Sequence, residues 1–268
     1  MSVRNTLRAF PTLLRVGFSE AVAYRAEMLI WVLATTMPLV MLALWSAVAR
    51  EAPIGRFGQS EFTAYFLADF IVRQLTGSWA SWQLSFEVRT GTLSMRLLRP
   101  IHPLMAYAAE QMAALPMRIL VALPVAAIGL WLVGAKHLPH SLGMWALWLL
   151  AMVGAWLITF LANVAIGSLA LYMESSLKVM DAWVALFFVF SGYLIPVELF
   201  PSGLRAVTNW LPFRYQIGFG VELLTSGYAT AADTLPFFLR QWMWVAILGG
   251  LTVLIWRRGL RRFGAYGG

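Results

Sequence analysis

Asp69 and Arg73 stand four residues apart in the run 62–82, which holds no other charge. Four residues is about one helical turn, so the carboxylate and the guanidinium share a helix face and could pair. An ionised side chain at the centre of a bilayer costs about 2.5–3.5 kcal/mol on insertion scales, which drives such groups toward a protein interior or water. The pair therefore has two readings: a polar lining or coupling network for transport, or a structural ion pair between helices. Arg118, in a later apolar run, has the same two, with a structural or snorkelling role the simpler. Asn163, Ser168 and Glu174 read as interhelical hydrogen-bonding groups.

Other chemistry has little support. The histidines are His102, His137 and His140, and no acidic residue lies between the last two. The patterns H-E-x-x-H and G-x-S-x-G are missing, and so is the phosphate loop G-x-x-x-x-G-K-[ST]. Zinc hydrolysis, acyl transfer and ATP binding of that kind have no motif to rest on. Without cysteine there is no disulfide framework and no thiolate metal site. The expectation is a chain that is no enzyme and holds no metal or cofactor of its own.

The elements that must carry these charges are apolar. Of 268 residues, 60% are hydrophobic and 12% charged, with a mean hydropathy of +0.74. Soluble domains are about 45–50% apolar and about 25% charged, so this surface cannot be mostly wet. The reading is an all-α polytopic membrane protein, with thirteen tryptophans suited to the bilayer interfaces. Six spans are expected, near 28–48, 62–82, 105–134, 141–171, 180–200 and 236–256, with Pro116 and Pro124 predicting a kink in the third. With the N-terminus inside, the segments 1–27, 83–104, 172–179 and 257–268 hold twelve Lys and Arg. The opposite segments, 49–61, 135–140 and 201–235, hold five, and Arg73, Arg118 and Arg240 fall within spans. That bias places both termini in the cytoplasm and explains the net charge of +8 without nucleic acid.

Residues 1–27 form a leader rather than a cleavable signal, since four arginines precede the first apolar run. Leu7, Phe10, Leu14, Phe18 and Ala21 recur at helical spacing opposite Arg4, Arg8 and Arg15, which predicts a helix lying in the membrane interface, with Pro11 a point of bending or division. Residues 201–235 are too apolar for a linker and hold two moderately amphipathic segments divided by Pro212, which suggests short re-entrant helices. Small residues such as Gly154, Gly167 and Gly192 suit close helix packing.

The stretch GTLSMRLLRPIHPL, residues 91–104, interrupts this pattern with arginines, a glycine and prolines among leucines. It predicts a short helix broken near Gly91 and stopped at Arg99, ahead of Pro100. Its leucines could enter a partner's groove while Glu87, Arg89, Arg96 and Arg99 make rim contacts. Alternatively it is an interfacial turn whose arginines hold phosphate headgroups.

Gly91, Leu93, Leu97, Arg99 and Pro100 fit G-x-L-x-x-x-L-x-R-P, and here the chain resembles a family of bacterial ABC type-2 transporter permeases. The segment SGYLIPVELFPSGLRAVTNWLPFRY, residues 191–215, is similar to the end of their fifth helix and the start of their external re-entrant region. Gly192, Pro196, Pro201, Pro212 and Tyr215 carry that likeness. The resemblance implies one permease domain over 1–268, in the bacterial inner membrane, working as an exporter. It implies a second permease subunit, surrounding lipids, and a cytosolic ABC ATPase dimer that binds the ATP and Mg. The loop 83–104 would couple to that ATPase, and 191–215 would form an external gate. The competing readings are an ATP-independent secondary transporter or channel, and a membrane-anchored assembly factor.

Overall fold

The structure, a computed structural model, describes residues 3–24, 30, 35–133, 135–225, 227–228 and 230–263, and the side chains of all these except 3–7, 130, 133 and 135. Twelve α-helices and a few 3₁₀ turns make up the described residues, which contain no strand beyond an isolated bridge between Ile54 and Phe57. In chain order the helices are α1 (Val3–Ala23), α2 (Met37–Glu51), α3 (Gln59–Thr76), α4 (Ala80–Arg89), α5 (Leu93–Leu97) and α6 (Pro103–Ala113). They continue as α7 (Leu115–Val133), α8 (Leu142–Ser168), α9 (Ser176–Phe190), α10 (Ser202–Thr208), α11 (Gly218–Leu224) and α12 (Ala231–Leu260).

Helix starts follow local chemistry. The Gly58 N–H donates to Glu61 Oε2 at 3.0 Å ahead of α3, the Ser141 hydroxyl accepts from Met144 N–H at 3.2 Å at α8, and Thr230 and Asp233 share hydrogen bonds of 2.9 Å at α12. Each satisfies a backbone donor that a helix start leaves open. Pro103 opens α6, where its missing N–H costs nothing.

Three helical segments are long and apolar enough to cross a bilayer: Pro103–Gly129, Leu142–Leu171 and Ala231–Leu260. They are the third, fourth and sixth expected spans. Helices also stand at the other three places, but α2, α3 and α9 have 15, 18 and 15 residues. Part of the first expected span lies outside the described residues. The second needs correction: its apolar run conceals a break at Gly77–Trp79, so α3 ends at Thr76 and α4 is a separate helix. The fifth runs earlier than expected, from Ser176 to Phe190. The third divides at Ala114, two residues before Pro116, and continues through Pro124.

α8 is the axis of the molecule and packs against α12, α4, α11, α9 and α3. Two apolar cores lie along it. The larger gathers Phe62, Phe66, Val72, Met152, Ile158, Tyr215 and Phe219, and the smaller Leu84, Val88, Leu93, Tyr107, Val164 and Trp256. The smaller core puts α4, α5, the start of α6 and the end of α12 at one end of the molecule. α1 runs through Pro11 undivided and packs against α6. Gly17 and Ala21 are its buried residues, Phe10 and Leu14 are half-buried, and Phe18 is exposed. Leu7 and Arg4 lie outside the described side chains.

α4 reaches α8 where Gly167 has no side chain: a Cβ there would stand 2.9 Å from the Ser81 Cα and 3.2 Å from the Ser81 carbonyl oxygen. Backbone cannot move aside as a side-chain tip can. Gly167→Leu is expected to cost about 1–3 kcal/mol by overpacking and to lower the Tm of the purified protein by several degrees. Gly250→Leu, at a position with open space around it, leaves Tm unchanged.

Candidate functional site

The α4–α5 hairpin turns at Gly91, whose φ of +75° is a conformation that L side chains rarely adopt. Gly91 N–H donates to Val88 O at 3.2 Å, and the Ser94 hydroxyl donates to Gly91 O at 2.7 Å, closing the turn. Leu93 then drops into the smaller core, fully buried, and Leu97 packs against it. The break near Gly91 is as expected, whereas α5 stops at Leu97 instead of Arg99.

Arg96 binds the hairpin together and ties it to the next helix. Its Nε and Nη2 donate to Glu87 Oε2 and Oε1 at 2.9 and 2.7 Å, a bidentate pair across the turn. Its Nη1 donates to Glu110 Oε1 of α6 at 2.6 Å, and its guanidinium lies 4.2 Å from the centre of the Tyr107 ring. The Tyr107 hydroxyl donates to Glu87 Oε2 at 2.5 Å, and Gln83 Nε2 donates to Glu110 Oε2 at 2.7 Å. Burial pulls the Arg96 pKa down, but the hydrogen bonds to Glu87 and Glu110 carry it above the ordinary arginine range. Arg96 and Glu87 therefore face each other more than a partner. The side chains presented outward include Arg89, Met95, Leu98, Arg99 and Pro100, with Met95 66% and Leu98 80% exposed. An apolar tip flanked by arginines results.

Just before α4, Arg118 of α7 secures the break at Gly77–Trp79. Its Nη1 donates to Gly77 O at 2.7 Å and reaches Gln74 O at 3.5 Å, and its guanidinium lies 4.5 Å from the Trp79 ring centre. Among the described residues it pairs with no carboxylate. Instead a cation caps the carbonyl end of α3, where the helix dipole is negative. These contacts are those of the structural reading of Arg118.

Asp69 and Arg73 share α3 but form no ion pair. Arg73 stands over the Phe187 ring at 5.3 Å and faces the Tyr193 hydroxyl, while Asp69 is fully buried and neither carboxylate oxygen has a hydrogen-bond partner among the described residues. Helical spacing permitted the pair; the aromatic groups at the end of α9 hold the arginine away.

The segment 191–215 closes the far end of the bundle. Gly192 adopts φ +90°, and its carbonyl accepts from the Tyr65 hydroxyl at 2.9 Å. Gly218 N–H donates to Ser191 O at 2.9 Å, bringing the start of α11 onto the end of α9. Pro196, Pro201 and Pro212 each precede a short helical turn, and buried Tyr215 donates to Asn209 O at 2.5 Å. The short helices expected here exist, but α11 is buried on every side rather than amphipathic.

A buried ion pair in this region escaped sequence reasoning. Arg214 Nη2 donates to Glu222 Oε1 and Oε2 at 2.8 and 2.7 Å, with both side chains nearly sealed from solvent. The Tyr228 hydroxyl donates to Glu222 Oε2 at 2.6 Å, and the Phe237 ring centre lies 4.7 Å from the guanidinium. The available signal was that Arg214 and Glu222 are the only charges in 213–228.

Helices long and apolar enough to cross a bilayer, with several charged side chains buried between them, fit a multi-pass membrane protein. The family described as ABC-2 family transporter protein matches residues 21–267, nearly the whole chain, and the chain belongs to that family. No curated protein matches the sequence. Membership suggests a membrane transport subunit rather than an ATPase, and in general an ATPase partner and a second permease.

Removing one member of a buried ion pair strands the other, at a cost of about 3–5 kcal/mol, whereas replacing both with apolar groups is often neutral. Arg214→Met is therefore expected to lower thermal stability sharply. Arg214→Met combined with Glu222→Met is expected to recover most of it, as read by unfolding of the purified protein.

Proposed function

We propose that this chain is the permease subunit of an ATP-driven exporter in the bacterial inner membrane, with six crossings and both termini in the cytoplasm. A single domain over 1–268 forms the substrate path with a second permease subunit, identical or related. A cytosolic ATPase dimer, holding ATP and Mg, sits beneath. The chain supplies no cofactor chemistry and binds no nucleic acid.

The observation that carries this reading is the outward-facing apolar tip, Met95 and Leu98, on a hairpin fastened to the membrane helices through Arg96. A coupling element needs an exposed surface to receive force and a stiff connection to deliver it. Met95, Leu98, Arg89, Arg99 and Pro100 contact the ATPase. Gly91, Leu93 and Leu97 shape the hairpin, and Glu87 and Arg96 transmit its movement to α6. At the other end, Gly192, Pro196, Pro201, Pro212 and Tyr215 form the external gate, with α10 and α11 as re-entrant helices. For both gate and coupling element to respond, ATP must favour one of two arrangements of the helices.

A second reading, ATP-independent secondary transport, draws on Asp69, a buried carboxylate without a hydrogen-bond partner among the described residues and a group of the kind used in intramembrane relays. Transport by the purified chain in vesicles with an ion gradient and no ATPase would favour it.

Met95→Glu combined with Leu98→Glu leaves the Arg96 network intact. In co-expression with the ATPase, this variant is expected to fold normally yet lose co-purification and permease-dependent ATP hydrolysis by about tenfold or more, the loss expected when truncation or charge strikes an interface anchor. Wild-type co-purification and hydrolysis would remove the coupling assignment.

A further inference from the structure

At the end of α12 the chain reads WRRGLRRF, residues 256–263, immediately past a segment able to cross the bilayer. A recess of about 400 Å³ opens there, lined by Tyr172, Leu254, Ile255, Arg258, Arg261 and Arg262. Its composition divides by depth: Leu254 and Ile255 lie toward the membrane-spanning part of α12, and the three arginines lie at its end.

Among the described residues the arginines have no counter-charge. The ion pairs among the described residues engage Arg56, Arg96, Arg214 and His137, and none reaches Arg258, Arg261 or Arg262. All three are exposed. The recess is also built rather than frayed. The Tyr172 hydroxyl donates to Ile255 O at 2.9 Å, fixing the turn after α8 against α12, and Arg262 lies 5.3 Å from the centre of the Tyr172 ring. Beside it, Gly259 lets Leu171 and Tyr172 approach α12 closely.

Neutralising the carbonyl end of α12 explains one or two cations. It leaves the gathering of three guanidinium groups around an apolar-walled recess unexplained. Guanidinium groups bind phosphate oxygens in planar, bidentate fashion. An apolar wall continuous with the bilayer-facing surface of α12 suits a ligand that brings a hydrocarbon tail with its phosphate.

We propose that this recess binds the phosphate of an anionic phospholipid, with Arg258, Arg261 and Arg262 on the phosphate oxygens and Leu254 and Ile255 against the first methylenes of the acyl chain. The site is separate from the ATPase-facing hairpin and does not depend on that reading of the chain. Because the recess joins α12 to the turn after α8, an occupied site braces the smaller core where Trp256 and Leu171 enter it.

The test uses the full chain in nanodiscs of phosphatidylcholine doped with phosphatidylglycerol, reading thermal stability and lipid retention by native mass spectrometry. Wild type should gain stability and retain phosphatidylglycerol. Arg258→Gln, Arg261→Gln and Arg262→Gln together should weaken retention roughly a hundredfold, taking each juxtamembrane arginine as worth about 1 kcal/mol. A control triple, Arg50→Gln, Lys136→Gln and Arg205→Gln, removes the same charge from exposed positions outside the recess and should retain the lipid. Equal loss in both triples would mean diffuse attraction only and would overturn the site. Inorganic phosphate at millimolar concentration, added in phosphatidylcholine discs, should not reproduce the stabilisation; if it does, the source is a soluble phosphate and the lipid assignment falls. Lysine at the three positions should restore part of the retention, which a variant that merely misfolds could not show.

Discussion

A single guanidinium shared between carboxylates on two helices holds the α4–α5 hairpin in place. Arg96 closes the turn through Glu87 and crosses to α6 through Glu110, with Tyr107 beneath it. Because α1 and α7 both meet α6, the Arg96 connection also links α5 to α1 and to one of the long apolar segments. Such a pair is charge-assisted and bidentate, hence stronger and more directional than an exposed surface bridge. It also explains how a five-residue helix, far too short to be stable alone, keeps one orientation.

The other buried charges are handled differently, and each choice sets a local property. Arg118 uses carbonyls and an aromatic face, and so turns a helix break into a fixed joint. Arg214 uses Glu222, making α11 and the turn before it one unit even though both lie in a loop of the sequence. Among the described residues Asp69 has no hydrogen-bond partner, a costly arrangement for a polar group in an apolar interior. Its neighbour Arg73 is committed to Phe187 and Tyr193 beside the Gly192 turn. A rearrangement of that turn would alter what Arg73 can reach.

Composition and apolar run length made the all-helical membrane class legible, together with the third, fourth and sixth crossing segments, since these depend only on residues adjacent in sequence. Gly91 was legible as a break because a turn of that kind needs a residue without a Cβ. The end of α3 was not, because Gly77 and Arg118 create it together from 41 residues apart inside an unbroken apolar run. Helical spacing offered Asp69 a partner in Arg73, but aromatic groups from another helix took the arginine. Glu110 went unrecognised for a similar reason: its role exists only once Pro100 and Pro103 have turned the chain back toward Arg96. Sequence spacing reveals which side chains can meet within one helix, and says little about which of several nearby helices will claim them.

The stiffness of the hairpin is open to direct measurement, and the absence of native cysteine makes labelling simple. Spin labels at Met95→Cys and Arg15→Cys, measured by double electron–electron resonance, report α5 against the α1–α6 unit. A narrow distance distribution in the otherwise wild-type chain, broadened by Arg96→Leu, is the expected result. An equally narrow distribution after Arg96→Leu would show that packing alone holds the hairpin and that the Arg96 connection transmits nothing.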